Sequence, residues 1–227
     1  MQSGYLIEEV SASLLLDCGP GVLSSLRLSR SWPELDGIVI SHLHHDHFGD
    51  LISWVWGTVA LRELERSIAR PVLWLPPGGI ERLESLAKLL GSSPGMFTEA
   101  FVLDEYSPHA TFTVGDCELT AFPVPHFEMA AFSLRLSSSG RTLTYSGDCA
   151  PSESLVEAAA GANLLLCEAT LPPGFDEPKP RGHMTLEEAR SIFERSGASE
   201  LLITHRALEL DVDEGIARAR DGAVREV

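Results

Sequence analysis

The decapeptide SHLHHDHFGD, Ser41 to Asp50, places four histidines and two aspartates in ten consecutive positions. Imidazoles and carboxylates crowded onto one turn each need a polar partner if they are buried, and a cation is a partner they can share. His42, His44, Asp46 and His47 within it form the spacing HxHxDH. His42 and His44 alternate at the end of the apolar run that precedes them, so both imidazoles can point the same way, while Asp46 and His47 sit on the following turn. Two neighbouring pairs of this kind can serve two neighbouring metals. Four ligands do not close the shells of two ions, so further donors must come from elsewhere in the chain. The candidates stand where apolar runs end: His126 after LTAFPVP, Asp148 after TLTYSG, Glu168 in NLLLCEA, His205 after LLIT, and His183 just before a helical pattern. Taken singly, each such residue is more often ordinary surface or core; joined to HxHxDH they reinforce one another. His45, at the variable position of the motif, and His109, in EYSPHAT, are set aside, and Cys149 beside Asp148 reads as a buried small residue.

These residues need elements to position them. Strand-like runs recur along the chain: GYLIEE, ASLLLDC, LDGIVISH, PVLWLP, ATFTVGDCELTAFPVP, AAFSLRLSS, RTLTYSGD, ANLLLCEAT and ELLITH, most of them closed by Gly, Pro, Asp or His. Helical patterns lie between them, the clearest over Gly79–Leu90, Ser152–Ala160 and Thr185–Ser196. In the last, Leu186, Ala189, Ile192 and Phe193 make one apolar stripe. Thr185 with Glu188 three residues on fits a capping box, which places His183 on the loop feeding that helix. SSSGRT, Ser137–Thr142, is a hairpin signal. The helical region Leu51–Ala69, with Trp54 and Trp56, could line a substrate cleft or pack on the sheet, and its apolar periodicity favours packing; Phe127 and Met129, following His126, could touch a base or another apolar substrate group but are not assigned to the site. Helices among strands, several of them adjacent as hairpins, predict an α/β (α+β) protein with a mixed sheet covered by helices.

Composition bounds the function. At 227 residues the chain is read as one domain, residues 1–227. Lys plus Arg number 17 against 33 Asp plus Glu, a formal net charge of -16, so the mean field repels phosphate backbones and counts against a nucleic-acid partner. Cys18, Cys117, Cys149 and Cys167 are far apart and form neither a CxxC pair nor a disulfide framework. With no apolar run of membrane-spanning length, no membrane association is expected, and a cytoplasmic enzyme or binding protein is the natural class.

The order HxHxDH, His, Asp, His, running through most of the chain, resembles the metallo-β-lactamase superfamily. SGYLIEE, LLLDCGPG, SHLHHDHFGD, TYSGD, LLLCEAT, GHMT and LLITH resemble the branch of short ribonuclease Z-like phosphodiesterases. The resemblance implies a four-layer αββα sandwich of mixed sheets flanked by helices. It implies that His42, His44 and His126 bind one divalent metal, that Asp46, His47 and His205 bind a second, and that Asp148 bridges them. Zinc is the expected metal, with Mn, Fe or Co compatible with the same nitrogen and oxygen donors. His183 corresponds to a histidine that assists catalysis, and Glu168 to the glutamate that orients it. Two such metals share a hydroxide that attacks phosphorus; Asp46 holds or accepts its proton, and His183 protonates the leaving oxygen.

The chain departs from that pattern in three places. Cys167 stands where ribonuclease Z enzymes usually carry histidine. Only 21 residues separate His126 from Asp148, enough for one hairpin, where those enzymes typically insert a long tRNA-gripping arm. This shifts the expectation from tRNA processing to a small phosphodiester such as a 3',5'-cyclic nucleotide, and the sequence is similar to a bacterial subgroup of atypical cyclic-nucleotide phosphodiesterases. The rival readings are a tRNA 3'-processing endonuclease, a lactonase or thioesterase of the same superfamily, and a non-catalytic metal-binding module. Finally, the family opens with an apolar strand and a glycine-rich turn before the segment matching SGYLIEE, which is where this chain starts. Either the true start lies upstream or the protein works without its first strand; a strand that is truly missing would leave an adjacent strand edge for a partner chain to cover, as in a homodimer.

Overall fold

The computed structural model describes residues 2–9, 12–29, 32, 34–64, 67–210 and 215–227. The chain divides into two compact units, Gln2–Ser107 and Pro108–Val227, each built on its own sheet.

In Gln2–Ser107 the sheet order is β1 (Tyr5–Glu8), β2 (Ser13–Leu16), β3 (Gly37–Val39), β4 (Val72–Leu75) and β5 (Val102–Glu105). β1 pairs antiparallel to β2, and β2 to β5 are parallel. The apolar runs LLL and GIV are buried on both faces, as interior parallel strands require. Leu14, Leu15 and Leu16 are at most 1% exposed, and each stabilises the unit by roughly 1.5–3 kcal/mol through burial. The helices are α1 (Val22–Ser29), α2 (His45–Phe48), α3 (Asp50–Glu63) and α4 (Gly79–Leu89), with a 3-10 helix at Pro94–Glu99. The expected turn carrying Asp46 and His47 is therefore the short helix α2, because Gly49 stays in the right-handed conformation and the chain continues directly into α3. Trp54 of α3 is fully buried as its periodicity predicts, whereas Trp56 is 58% exposed, so the core reading fails for the second tryptophan. Periodicity assigned the whole segment one helical face, and residues two apart on a helix do not share one.

In Pro108–Val227 the sheet order is β12 (Ala217–Arg218), β11 (Glu200–Thr204), β10 (Leu164–Glu168), β9 (Arg141–Tyr145), β8 (Met129–Ser138), β7 (Cys117–His126) and β6 (Thr111–Val114). β9, β10, β11 and β12 are parallel, and β6 to β9 antiparallel. Two antiparallel steps make β7 run in the same direction as β9, so the carboxyl ends of β7, β9, β10 and β11 lie at one end of the sheet. α5 (Glu153–Ala158) starts at Ser152, whose hydroxyl accepts from Leu155 N, and α6 (Leu186–Ser196) starts at Thr185 with both halves of the expected capping box formed. Leu186, Ala189 and Ile192 of α6 pack with Leu165, Cys167, Leu201 and Ile203 of the sheet. The four cysteines are free and buried. Among the described residues no helix is long and apolar enough to cross a membrane.

Candidate functional site

In Gln2–Ser107 the parallel pairing of β2 with β3 sets Asp17, just past β2, beside Ser41 and His42, just past β3. Asp17 is fully buried at φ +60, a conformation that Asp tolerates better than most residues. Its Oδ1 accepts from Ser41 N–H at 2.7 Å, and its Oδ2 accepts from Ser41 Oγ at 2.8 Å and from His47 Nδ1 at 2.7 Å. A carboxylate cannot donate, so His47 carries its proton on Nδ1, which in the neutral ring leaves Nε2 unprotonated. Ser41 Oγ spends its own proton on Asp17 and accepts from His42 Nδ1 at 3.1 Å, which leaves His42 Nε2 unprotonated as well. That nitrogen lies 3.2 Å from His44 Nδ1, and His47 Nε2 lies 3.7 Å from Asp46 Oδ2. His45, by contrast, is exposed and faces Phe48 with ring centroids 6.4 Å apart. The DCGPG segment clasps this motif through its backbone: Cys18 N–H donates to His47 O, and a Cβ at Gly19 would fall 1.9 Å from Asp46 O, so only glycine fits.

In Pro108–Val227, His126, Asp148, Glu168 and His205 all stand at the co-directional ends of β7, β9, β10 and β11. His126 Nδ1 donates to Gly182 O at 2.6 Å. Thr170 Oγ1 donates to His205 O and so accepts from His205 Nδ1 at 3.0 Å. His183 Nδ1 donates to Glu168 Oε1 at 3.0 Å. In their neutral forms all three histidines therefore have an unprotonated Nε2. His205 Nε2 lies 3.5 Å from Asp148 Oδ2, while His126, Asp148 and His183 each offer a ligand atom within 4.8 Å of the others. His109 sits apart, exposed and packed on Phe122.

Glu168 is fully buried and accepts from Cys149 N, Thr170 N and, more loosely, Met184 N besides His183. Burial pushes its carboxyl above the usual range, against the pull of His183 and Thr170. Burial alone would lower His183; the hydrogen bond and charge of Glu168, with Asp148 and Glu177, outweigh it and raise the imidazole. The loop bearing His183 is itself clamped. Glu177 Oε2 accepts from the N–H groups of Gly182 at 2.7 Å and His183 at 2.9 Å. Arg181 forms a two-pronged pair with Glu188 and donates to His183 O. None of Asp17, Ser41, Thr170, Glu177 or Arg181 is marked by its residue type as part of the site; the signal is a place within or near a motif, DCGPG, SHLHHDHFGD, CEAT or GHMT.

This donor chemistry fits divalent cations. Imidazoles with Nδ1–H fixed by an oxygen and Nε2 without a proton, as at His42 and His47 in one unit and His126 and His205 in the other, each unit adding carboxylates, are what imidazole-binding metals require of the residues behind their ligands.

A family model described as a β-lactamase superfamily domain matches residues 13–206. The chain is 29% identical over 204 residues to the probable metallo-hydrolase YhfI of Bacillus subtilis, covering 89% of this chain and 79% of that protein. It is 27% identical over 252 residues to ribonuclease Z of Brevibacillus brevis, covering 88% and 77% respectively. The crystal structure of the metallo-β-lactamase fold protein YhfI superposes with a TM-score of 0.83 at 25% identity, covering 99% of this chain and 92% of that one. With most of its length inside the family match and its two mixed sheets reproduced in a solved relative, this chain belongs to the β-lactamase superfamily domain family and has the metallo-β-lactamase fold.

Proposed function

We propose that this protein is a binuclear metal-dependent phosphodiesterase acting on a small phosphodiester such as a 3',5'-cyclic nucleotide. The observation that carries the reading is the His183–Glu168 pair held beside Asp148 and His126: an imidazole with its Nδ1 committed to a buried carboxylate and its basicity raised, poised next to metal-type donors. The names of the relatives, a metallo-hydrolase and a ribonuclease Z, support a hydrolase. In the proposed centre His42, His44 and His126 would hold one ion and Asp46, His47 and His205 the other, with Asp148 available to both; zinc would suit these nitrogen and oxygen ligands. Bound divalent ions supply acidification of a water molecule and neutralisation of phosphoryl charge.

The chain's own residues do the rest. Asp46 accepts a proton from the attacking water. His183, protonated at Nε2 while Nδ1–H stays on Glu168, gives a proton to the leaving oxygen, which for a 3',5'-cyclic nucleotide is O3'. A small substrate is favoured over tRNA because the segment between His126 and Asp148 is consumed by β8, β9 and their turns, and because the net charge of -16 works against a polyanion. The deciding experiment measures turnover of 3',5'-cyclic AMP alongside metal content for the full chain and for His183→Ala. The variant is expected to keep its metal and lose about 10²- to 10⁴-fold in kcat. Stoichiometric metal with no turnover of the cyclic nucleotide by the unmodified protein would reject the reading.

A further inference from the structure

The turn between β7 and β8 is two residues long, Phe127 and Glu128, because His126 pairs with Met129. Two-residue hairpins place their first residue at positive φ most readily when it is Asn, Asp or Gly. Here that residue is Phe127 at φ +50, an outlier for a bulky side chain. Its setting over-determines it. Phe127 N–H donates to Arg181 O at 3.0 Å, and the neighbouring His126 Nδ1 donates to Gly182 O at 2.6 Å. The phenyl ring lies so close over Gly182 that a Cβ there would come within 2.4 Å of Phe127 Cε2, so glycine is needed beneath it. The ring centroid is 4.9 Å from that of His126 and 5.6 Å from that of His183, edge-on to the latter. Even so, Phe127 is 41% exposed.

A phenylalanine serving only the core would be buried, and one serving only the turn would be better replaced by asparagine. Strain kept at an exposed ring beside chemistry-bearing imidazoles is the pattern of a ligand clamp. We propose that Phe127 is a specificity-determining residue on which the planar base of the substrate stacks, so that the site takes nucleotides in preference to phosphodiesters without an aromatic group. The inference rests on the reading of His126, Asp148 and His183 as handling a phosphate. In a nucleotide one sugar ring separates phosphate from base, which matches an aromatic face one ring contact away from His183. Charge adds a reason. With a formal net charge of -16 the mean field opposes the approach of an anionic substrate, so contacts that charge does not oppose add to its affinity. Stacking of a base on an aromatic side chain is such a contact and tolerates any base.

The test compares binding of 5'-AMP and ribose 5-phosphate to the full chain by calorimetry, with turnover of 3',5'-cyclic AMP recorded on the same samples. The unmodified protein is expected to bind AMP about 5- to 100-fold tighter than ribose 5-phosphate, as one stacked base contributes. Phe127→Leu keeps the apolar bulk and should erase that difference with ribose 5-phosphate unchanged, and Phe127→Trp should restore it. Upfield ring-current shifts of the adenine protons in the unmodified protein are the independent readout. Equal binding of the two compounds, binding of neither at millimolar concentration, or a Phe127→Leu variant that weakens both alike would overturn the proposal; if that variant does not fold, the unmodified protein and Phe127→Trp decide. Base-dependent binding without turnover would reject the phosphodiesterase reading and leave this one standing, whereas turnover with base-blind binding would do the reverse.

Discussion

Replacing Asp17 by asparagine tests the proposition that a buried carboxylate outside the ligand set decides whether His47 can bind a metal. Asparagine keeps the size of aspartate and tolerates φ +60 equally well, so neither packing nor backbone strain changes. What changes is the sign of one group. If the amide oxygen stays on Ser41 N–H, the NH₂ takes the place of Oδ2, which now accepts from both Ser41 Oγ and His47 Nδ1. A donor then faces His47 Nδ1–H, and the imidazole relieves the conflict by moving its proton to Nε2, the nitrogen that would bind the ion. Loss of an orienting partner of this kind lowers metal affinity by about 10- to 100-fold, or about 1.4–2.7 kcal/mol. Competition against a chromophoric chelator measures the affinity, and ¹⁵N chemical shifts of the metal-free protein report the His47 tautomer. An Asp17→Asn variant with unchanged affinity, or with His47 still protonated at Nδ1, would refute the reasoning. Asp17→Ala is expected to do worse, because it strands the buried donors of Ser41 and His47 at about 1–3 kcal/mol each and puts a Cβ-bearing residue without a compensating hydrogen bond at positive φ; thermal denaturation would show it.

The clamp around His183 is open to similar tests. Glu177→Ala should lower kcat more than it raises KM, because both N–H groups that fix the His183 backbone lose their acceptor, and Glu177→Gln, which retains one oxygen, should recover most of the loss. Glu168→Gln should leave metal content intact and lower the pKa of His183, since the amide oxygen can still accept from Nδ1–H but the charge that helps raise the imidazole is removed; an imidazole titration followed by NMR checks this. Glu188 is held below the usual carboxylate range: burial acts upward, but the Arg181 hydrogen bonds and the Thr185 N–H outweigh it. A lowered folded-state pKa contributes stability that is complete above the ordinary carboxylate value and disappears as pH falls through the depressed one. Partial exposure limits this to about 1 kcal/mol or less, so the acid limb of a denaturation-midpoint profile should flatten slightly in Glu188→Gln. Gly182→Ala should destabilise by about 1–3 kcal/mol, because its Cβ would displace the Phe127 ring, and calorimetric melting would detect it.

Much of this was legible in the chain because it depends on neighbours in sequence. HxHxDH, the strand ends at His126, Asp148, Glu168 and His205, the Thr185–Glu188 cap and the three helices are local patterns, readable from period and spacing. Two short strands, β5 (VLDE) and β12 (AR), were not: VLDE alternates in burial but is too polar to stand out, and AR is a strand only because Leu202 and Ile203 of β11 offer it a partner. The helical turn at Asp46 was missed for a related reason, since a four-residue helix has no period to read and exists as the entrance to α3.

By itself the sequence determined which chemistry is available and the type of element bearing each donor, because side-chain identity and period are properties of the chain alone. Only the tertiary structure decided which nitrogen of His47, His126, His183 and His205 meets an oxygen that can hold its proton. That depends on oxygens brought from distant positions, Asp17 to His47, Gly182 to His126, Thr170 to His205 and Glu168 to His183, by strand pairing and loop packing. A proton's place on an imidazole is set by the acceptor it meets, and no local spacing encodes a partner that lies 15 to 56 residues away.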